Sequence, residues 1–167
     1  MFERELTKRA ELLLQAMRER GLKIATAESC TGGLIAALLT EIPGSSDVVE
    51  RGFVTYSNDA KMELLGVPKA TLDSVGAVSR DTALAMAAGA LKASHATIAV
   101  AVTGVAGPGG GTGDKPVGLV HLVVQRAGHP PMHVESRYGD IGRQGVRLET
   151  LRTALDMLER MVEAAQD

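Results

Sequence analysis

A serine in a glycine-rich turn is the first group in this sequence whose type and position suggest chemistry. Ser29 lies within residues 27–33, between a short apolar stretch and a longer apolar run. A strand, a turn and a helix in that order would place the Ser29 hydroxyl beside the unpaired amides of a helix N-terminus, where anions are stabilised. The segment therefore predicts either a nucleophile with its oxyanion site or a cradle for a phosphate.

The motifs around Ser29 narrow its possible roles. Serine before a helix is most often an N-cap, and this is the ordinary alternative. Ala27 and Thr31 stand where the hydrolase elbow G-x-S-x-G needs glycines, and no Gly-Lys-Ser/Thr follows the strand to make a P-loop. Cys30 has no histidine nearby in the sequence to activate its thiol, so we expect a small buried residue at that position.

Lys61 is the residue that could activate Ser29. It comes one turn into a short helix predicted over residues 60–65, after a strand that should end at Tyr56. Most lysines are solvated, and a surface position is the ordinary alternative. Burial would instead favour the neutral amine, which can take the proton of a serine hydroxyl. Because no histidine is well placed for this task, a Ser29–Lys61 pair is the simplest way to activate the serine.

A glycine-rich loop over residues 104–113 follows the most apolar predicted strand. Successive backbone N–H groups in such a loop can form an anion-binding concavity, and glycine lets a ligand approach the main chain closely. The alternative is a flexible surface connection, against which the position directly after a buried strand argues. The loop is therefore a second candidate binding element.

Two arginines stand four residues apart near the start of the last predicted helix. Cations there oppose the helix macrodipole, so Arg143 and Arg147 carry a small local cost. Such conflicts tend to mark functional sites, here an arginine that would bind a phosphate or a carboxylate. Packing, or pairing with Asp140 or Glu149, is an equally good interpretation of the sequence.

The elements that must position these groups alternate between helix and strand. Helices are predicted over residues 6–17, from 31–33 to a break at 43–47, and over 60–65, 80–94 and 148–162. The helix over 80–94 has a predicted apolar stripe at Leu84, Ala87, Ala88 and Leu91. Strands are predicted over residues 23–27, 52–56, 97–103, 117–125 and 132–138, the last two as an antiparallel pair.

This order predicts a single three-layer α/β/α domain over residues 1–167, with a mixed, partly parallel sheet. Ligands of open α/β sheets bind beyond the carboxyl ends of the strands. The Ser29 turn, the segment containing Lys61 and the glycine-rich loop all follow predicted strands. We therefore expect these three groups to converge at one edge of the sheet.

Composition argues against several classes of function. The net charge is −2, Trp is absent, and only two Phe and two Tyr are present. Without a basic surface or aromatic stacking platforms, a nucleic-acid partner is not expected. The single cysteine excludes an intrachain disulfide, the four His show no zinc-ligand spacing, and no apolar run is long enough to span a bilayer. We expect a cytoplasmic protein with no metal, cofactor or membrane contact.

Ordered segments over nearly the whole chain resemble the CinA C-terminal domain family, which includes stand-alone nicotinamide-nucleotide amidohydrolases (NMN deamidases). The segments are TAESCTGG (26–33), GSS (44–46), RGFVTYSN (51–58) through Lys61, GAVS (76–79), TGVAGP (103–108), KPVG (115–118) and GD (139–140) with Arg143 and Arg147. Two departures are Ile141-Gly142, inserted before Arg143, and Tyr138, where the family usually has Phe. Some members carry a larger N-terminal domain, for which this chain is too short.

The resemblance implies hydrolysis of nicotinamide mononucleotide to nicotinic acid mononucleotide and ammonia, with Ser29 as the nucleophile and Lys61 as the base. It also implies a nucleotide pocket, for which the candidate residues are Thr31, Gly32, Gly33, Ser46, Tyr56, Asn58, Thr103, Gly104, Ala106, Gly107 and Arg143. In this chemistry Lys61 accepts the Ser29 proton, Ser29 attacks the carboxamide carbon, and amides around residues 31–33 hold the oxyanion.

Two alternative functions stay open at the level of sequence. A nucleotide-binding module of the same fold would keep the pocket and release no ammonia. A phosphotransferase would bind ATP with the glycine-rich loop. Against this, no Lys-Ser/Thr follows the loop, and no obvious pair of acidic residues is present to bind Mg²⁺. We also expect a homo-oligomer, for example a dimer in which the Ala-rich helix over 80–94 packs against a copy of itself.

Overall fold

A mixed sheet forms the centre of the computed structural model, which describes residues 1–164. Its strands within that range are β1 (Ile24–Glu28), β2 (Val49–Val54), β3 (Ile98–Gly104), β4 (Leu119–Arg126) and β5 (Met132–Arg137). They lie in the order β2-β1-β3-β4-β5. β1 pairs in parallel with β2 and β3, whereas β4 is antiparallel to β3 and β5. The predicted mixed sheet with a late antiparallel pair is confirmed.

Helices cover both faces of this sheet. They are α1 (Arg4–Glu19), α2 (Leu34–Thr40), α3 (Asn58–Leu65), α4 (Lys69–Val75), α5 (Arg80–Lys92) and α6 (Arg143–Glu163), and a short 3₁₀ turn spans Ser45–Asp47. α1, α2 and α6 pack on one face, and α3, α4 and α5 pack on the other. The three-layer α/β/α architecture is therefore confirmed. Within residues 1–164, none of the helices combines the length and the apolar character that spanning a bilayer requires.

Strand β3 is buried on both faces, as its uninterrupted apolar run predicts. Val100 and Val102 face the core beneath α1, α2 and α6, whereas Ala99 and Ala101 face the core beneath α5. Alternate strand residues point to opposite faces, so branched side chains fill one core and small ones the other. The result is a rigid central strand whose carboxyl end leads into the glycine-rich loop.

The connections between the parallel strands create a topological switch point. The chain leaves β1 for α2 on one face, and it leaves β2 for α3, α4 and α5 on the opposite face. The two connections diverge between β1 and β3, and this switch point is where open α/β sheets bind ligands. Ser29 N donates to Val102 O at 3.0 Å and Thr55 N donates to Glu28 O at 2.9 Å. The chain segments that follow β1 and β2 therefore lie beside the end of β3.

Helix α2 begins at Leu34, later than the predicted start within residues 31–33. Gly32 and Gly33 have φ angles of +58° and +100°, which lie outside the right-handed helical region. The two glycines therefore belong to the turn that follows Ser29, and the turn is longer than the sequence pattern indicates.

Strand β2 covers Val49–Val54 instead of the predicted residues 52–56. Its position follows from the pairing with β1, in which Val54 lies opposite Glu28 at the last step of the ladder. The side chain of Tyr56 is consequently outside the sheet and exposed. This exposed position lets the tyrosine hydroxyl accept a hydrogen bond from Arg143 of α6.

Helix α4 has no counterpart among the predicted elements. It contains seven residues, begins after Pro68, and buries only Leu72 among its side chains. A helix of two turns with one buried residue has no apolar periodicity that a sequence pattern can detect. Its importance is that it leads directly into the loop before α5, which contributes to the site.

Helix α5 begins after its predicted cap, since Ser79 Oγ accepts from Thr82 N at 3.1 Å. The predicted apolar stripe is confirmed in part: Ala87 is buried and Leu84 and Leu91 pack partly buried against the core, whereas Ala88 is exposed. The face that meets the sheet contains Met86 together with small residues. Because α5 packs on the alanines of β3, small side chains permit the close approach and the leucines lie at the margin.

Candidate active site

Ser29 and Lys61 meet at the carboxyl edge of the sheet. Lys61 Nζ lies 3.0 Å from Ser29 Oγ and donates to the Thr55 carbonyl oxygen at 2.9 Å. Ser29 directly follows the end of β1, and Lys61 lies in the first turn of α3. The fold thus brings a hydroxyl and an amine to a distance that suits proton transfer.

Lys61 is buried to an extent unusual for its residue type, with 1% of its surface exposed. Helix α3 starts at its cap Ser57, whose Oγ accepts from Ala60 N at 3.0 Å, and this start turns Lys61 inward. Burial lowers the pKa of Lys61, and the neighbouring Cys30 opposes this effect more weakly. The lowered pKa makes the neutral amine, which is a base, accessible closer to physiological pH.

The N-terminus of α2 is occupied by a carboxylate of the chain itself. Buried Glu28 accepts from Ile35 N at 2.8 Å and from Ala36 N at 3.0 Å. It also accepts from Thr31 Oγ at 2.7 Å. A phosphate at this helix end would need the same amides. Glu28 therefore occupies the amides of Ile35 and Ala36 at the N-terminus of α2, which are not available to a phosphate.

The backbone amides of the turn differ from those predicted for the oxyanion. Gly32 N donates to Ser29 O at 2.9 Å, so this amide closes the turn and is not available. Within residues 1–164, the N–H groups of Cys30, Thr31 and Gly33 have no acceptor in another residue. Of these residues, only Cys30 lies on the wall of the neighbouring cavity. Cys30 N–H is thus the better candidate donor, in the position after the nucleophile that such donors usually occupy.

A cavity of about 320 Å³ adjoins Ser29 and Lys61, which form part of its wall. Seven further predicted binding residues share this wall, namely Tyr56, Asn58, Thr103, Gly104, Ala106, Gly107 and Arg143. The wall contains no Asp, Glu or His. Elsewhere in residues 1–164, no three side chains of His, Cys, Asp or Glu are grouped so that they could hold a metal ion.

The glycine-rich loop is fastened at its base and near its end. Val105 N donates to Leu119 O at 2.9 Å, and Gly118 N donates to Val105 O at 2.8 Å. Lys115 Nζ donates to Val75 O at the carboxyl end of α4. These bonds argue against a loosely held surface connection. The loop instead forms a defined wall of the cavity, opposite the residues that follow β2.

Arg143 reaches the same cavity despite the two residues inserted before it. Its Nη1 donates to Gly107 O at 2.8 Å and its Nη2 lies 2.6 Å from the Tyr56 hydroxyl. Neither arginine forms the alternative ion pair with Asp140 or Glu149; across residues 1–164, Glu149 pairs with Arg152. The Arg143 guanidinium is exposed and bonds only to uncharged oxygens, so it can accept an anionic group of a ligand.

One predicted binding residue lies far from this site. Ser46 is exposed in the 3₁₀ turn that precedes β2. Because β2 runs parallel to β1, the start of β2 and the carboxyl end of β1 lie at opposite edges of the sheet. The predicted contribution of Ser46 to substrate binding is therefore wrong. Thr31, Gly32 and Gly33 lie in the Ser29 turn but do not line the cavity.

The loop between α4 and α5 contributes residues that the sequence pattern does not single out. Ala77 and Val78 line the cavity, and Ala77 O accepts from Thr103 Oγ at 2.8 Å. The available signal was the segment GAVS (76–79), which is part of the resemblance described above and ends in the helix cap Ser79. Thr55, whose carbonyl oxygen holds Lys61, lies in the resembling segment RGFVTYSN (51–58), but its residue type gives no signal because its contribution comes from the backbone.

Comparison with known proteins identifies the same family over nearly the whole chain. The model of the CinA C-terminal domain matches residues 6–162. A CinA-like protein of Geobacter sulfurreducens is 51% identical over 149 residues, which cover 89% of this chain and 35% of that protein. A CinA-like protein of Geotalea uraniireducens is 49% identical over 143 residues, which cover 86% of this chain and 34% of that protein. The chain therefore spans about a third of the length of these curated relatives.

Solved structures share the fold. The crystal structure of the competence/damage inducible protein CihA from Agrobacterium tumefaciens is 57% identical, with a TM-score of 0.94. The competence-damaged protein (CinA) superfamily protein KP700603 from Klebsiella pneumoniae is 33% identical, with a TM-score of 0.87. Each similarity covers 96% of this chain and 97% of the other. It thus includes both layers of helices and the sheet edge that carries the cavity.

Proposed function

The chain belongs to the CinA C-terminal domain family, and on this premise we propose that it hydrolyses nicotinamide mononucleotide to nicotinic acid mononucleotide and ammonia. One observation carries the proposal: the buried amine of Lys61 lies 3.0 Å from Ser29 Oγ beside a cavity. Burying a lysine without a carboxylate partner is costly for the fold. Activation of a hydroxyl explains why this cost is retained, since such shifted groups concentrate at functional sites.

Acylation begins when neutral Lys61 takes the proton of the Ser29 hydroxyl. The Ser29 oxygen attacks the carboxamide carbon, which forms a C–O bond and moves the π electrons of the carbonyl onto its oxygen. Cys30 N–H is the proposed donor to this oxyanion, since it follows the nucleophile and has no acceptor elsewhere in residues 1–164. Collapse breaks the C–N bond, and the ammonium of Lys61 returns its proton to the nitrogen, which leaves as ammonia.

Deacylation reuses the same groups. A water molecule gives a proton to Lys61 as its oxygen attacks the acyl carbon, and the second oxyanion forms in the same place. The bond to Ser29 then breaks, and Lys61 returns the proton to the Ser29 oxygen. The hydroxyl and the neutral amine are restored, and the carboxylic acid product leaves as the carboxylate with release of a proton.

The rest of the cavity wall supports the proposal of a nucleotide substrate. Arg143 supplies an exposed guanidinium at the side of the cavity formed by Gly107 and Tyr56, which suits the phosphate group. The glycine-rich loop and the loop carrying Ala77 form the facing walls. A substrate with a carboxamide at one end and a phosphate at the other would place the carboxamide at Ser29.

The direct test is release of ammonia from nicotinamide mononucleotide by the purified protein without added metal. We expect formation of nicotinic acid mononucleotide in equal amount, with much slower turnover of nicotinamide riboside and nicotinamide, because both lack the phosphate. Nucleotide binding without ammonia release would instead support the non-catalytic module. Absence of both would contradict the proposal.

Turnover should rise with pH as Lys61 loses its proton. Because burial lowers the pKa of Lys61, the active neutral form becomes populated below the pH at which an exposed lysine titrates. Below that pKa, kcat/KM should increase about tenfold per pH unit, and above it the profile should level off. Steady-state measurements of kcat/KM between about pH 5.5 and about pH 9.5 would show this rise with pH. A flat profile, or one that falls with rising pH, would contradict a lysine base.

Cys30→Ala should retain turnover within about threefold of the wild type. Burial raises the pKa of the Cys30 thiol to about 12, so the thiolate that cysteine chemistry needs is scarce at neutral pH. Alanine also keeps the backbone N–H at this position. Ammonia release by the purified variant is the measurement. A loss comparable to that expected for Ser29→Ala would assign the nucleophile to cysteine.

A further inference from the structure

Arg147 is a site-proximal residue that the proposed chemistry does not use. It lies one helical turn after Arg143 on α6, and its Nη2 donates to Thr31 O at 2.9 Å. Unlike Arg143, it is not part of the wall of the cavity that contains Ser29. Its guanidinium thus contacts the turn that follows the nucleophile and not the space for substrate.

The bond from Arg147 holds one side of a peptide group whose other side is also held. The carbonyl of Thr31 and the N–H of Gly32 belong to the same planar peptide unit. Arg147 donates to this carbonyl, which also accepts from Leu34 N at 3.1 Å, and Gly32 N–H donates to Ser29 O at 2.9 Å. The orientation of this peptide therefore fixes the carbonyl of Ser29, and with it the turn from which the nucleophile and Cys30 N–H project.

The position of Arg147 is costly for the fold. It stands in the second turn of α6, where the macrodipole opposes a cation only weakly. Its Nε is buried and has no hydrogen-bond partner within residues 1–164. Unsatisfied buried donors and misplaced charges lower stability, and such costs tend to be retained where function requires them.

From these contacts we infer that Arg147 is a positioning residue, which holds the Thr31–Gly32 peptide so that Ser29 and Cys30 N–H keep their reactive geometry. The inference rests on the proposed function of Ser29 as a nucleophile. It predicts an effect on the chemical step and not on substrate affinity, because Arg147 does not line the cavity. Small displacements of a nucleophile are sufficient for large rate losses.

The test compares Arg147→Met, Arg147→Gln and Arg147→Lys with Arg152→Met. Arg152 lies on the same helix and pairs with Glu149 and Glu3 at 2.8 Å, outside the cavity. Loss of the guanidinium in the Met and Gln variants should lower kcat about 10- to 100-fold with KM within about twofold of the wild type. Lysine can still donate to Thr31 O, so the Lys variant should recover to within about fivefold. The control should keep the wild-type kcat.

A second readout does not depend on the nucleotide. A small fluorophosphonate labels a reactive serine: the Ser29 Oγ–P bond forms, the P–F bond breaks, fluoride leaves and Lys61 takes the proton. Intact-mass measurement of the labelling rate should show slowing in the Met and Gln variants by a factor similar to that in kcat. If the wild type is labelled at Ser29 but releases no ammonia, the proposed hydrolysis of the nucleotide is refuted. The labelling rates of the variants then still test the inference about Arg147.

Several outcomes would overturn the inference. They are an unchanged kcat and labelling rate in the Met variant, a change confined to KM, or a Lys variant no better than the Met variant. The thermal unfolding midpoint of each variant is measured to show that it is folded. If the Met variant does not fold, the Gln variant is compared with the wild type in its place. Failure of both to fold would assign Arg147 to the fold alone. Absence of Ser29 labelling in the wild type would refute the inference together with the serine mechanism.

Discussion

Ser29→Ala should lower ammonia release from nicotinamide mononucleotide by about 10⁴-fold or more, because no acyl-enzyme can form without Ser29 Oγ. Alanine keeps the backbone of the turn, including the Gly32 N–H bond to residue 29, so the cavity should keep its shape. Nucleotide affinity should therefore stay within about threefold of the wild type. Product formation followed by chromatography, together with calorimetric titration of the nucleotide, measures the two quantities separately.

Ser94→Ala is a matched control for the loss of a hydroxyl. Ser94 Oγ donates to Ala90 O at 2.6 Å near the end of α5 and does not line the cavity. This variant should turn over substrate at the wild-type rate. Retention of turnover by Ser29→Ala within about tenfold of the wild type would eliminate the serine mechanism. Loss of binding together with turnover would show that the variant site had collapsed.

Lys61→Met should lower turnover by about 10³-fold, because it removes the base that accepts the Ser29 proton. Methionine has a similar length and suits a buried position, so the volume next to Ser29 stays filled. The substitution removes a buried amine, which favours folding, and leaves Thr55 O without its donor, which opposes folding. We expect a small net change in the thermal midpoint and therefore a folded variant whose kcat can be measured.

Two further lysine variants separate the base from the charge. Lys69→Met removes an exposed lysine of α4, which pairs with Asp73 at 2.6 Å, and should leave turnover unchanged. Lys61→Arg keeps a cation that does not lose its proton in the accessible pH range, so it should be as inactive as Lys61→Met. Wild-type turnover by Lys61→Arg would contradict a base and would indicate that only the positive charge matters.

The elements that could be predicted from the sequence are those with a strong local signal. The apolar run of β3, the helical periodicity of α1 and α6, and the cap Ser79 of α5 each depend on neighbours in the sequence. Helix α4 and the true bounds of β2 could not be predicted in the same way. Helix α4 is too short to show a helical periodicity of apolar residues. The register of β2 is set by its pairing with β1, which is distant in the sequence.

For the candidate site, residue types and their positions after strands were sufficient to select Ser29, Lys61 and the glycine-rich loop. This works because the carboxyl ends of parallel strands meet at one edge of a sheet, so a linear pattern carries part of the geometry. Ser46 was a candidate only through the family resemblance; it precedes its strand and therefore lies at the opposite edge. The pattern failed for Gly32, whose amide closes the turn.

The sequence by itself determined the family, the α/β class and the pair of residues that could perform acyl transfer. Only the tertiary structure decided that Glu28 occupies the N-terminus of α2, that Gly32 N–H donates to Ser29 O, and that Arg147 donates to Thr31 O. The physical reason is that hydrogen bonds depend on the directions of individual donors and acceptors. Those directions are fixed when distant segments pack together, and no local pattern of residue types contains them.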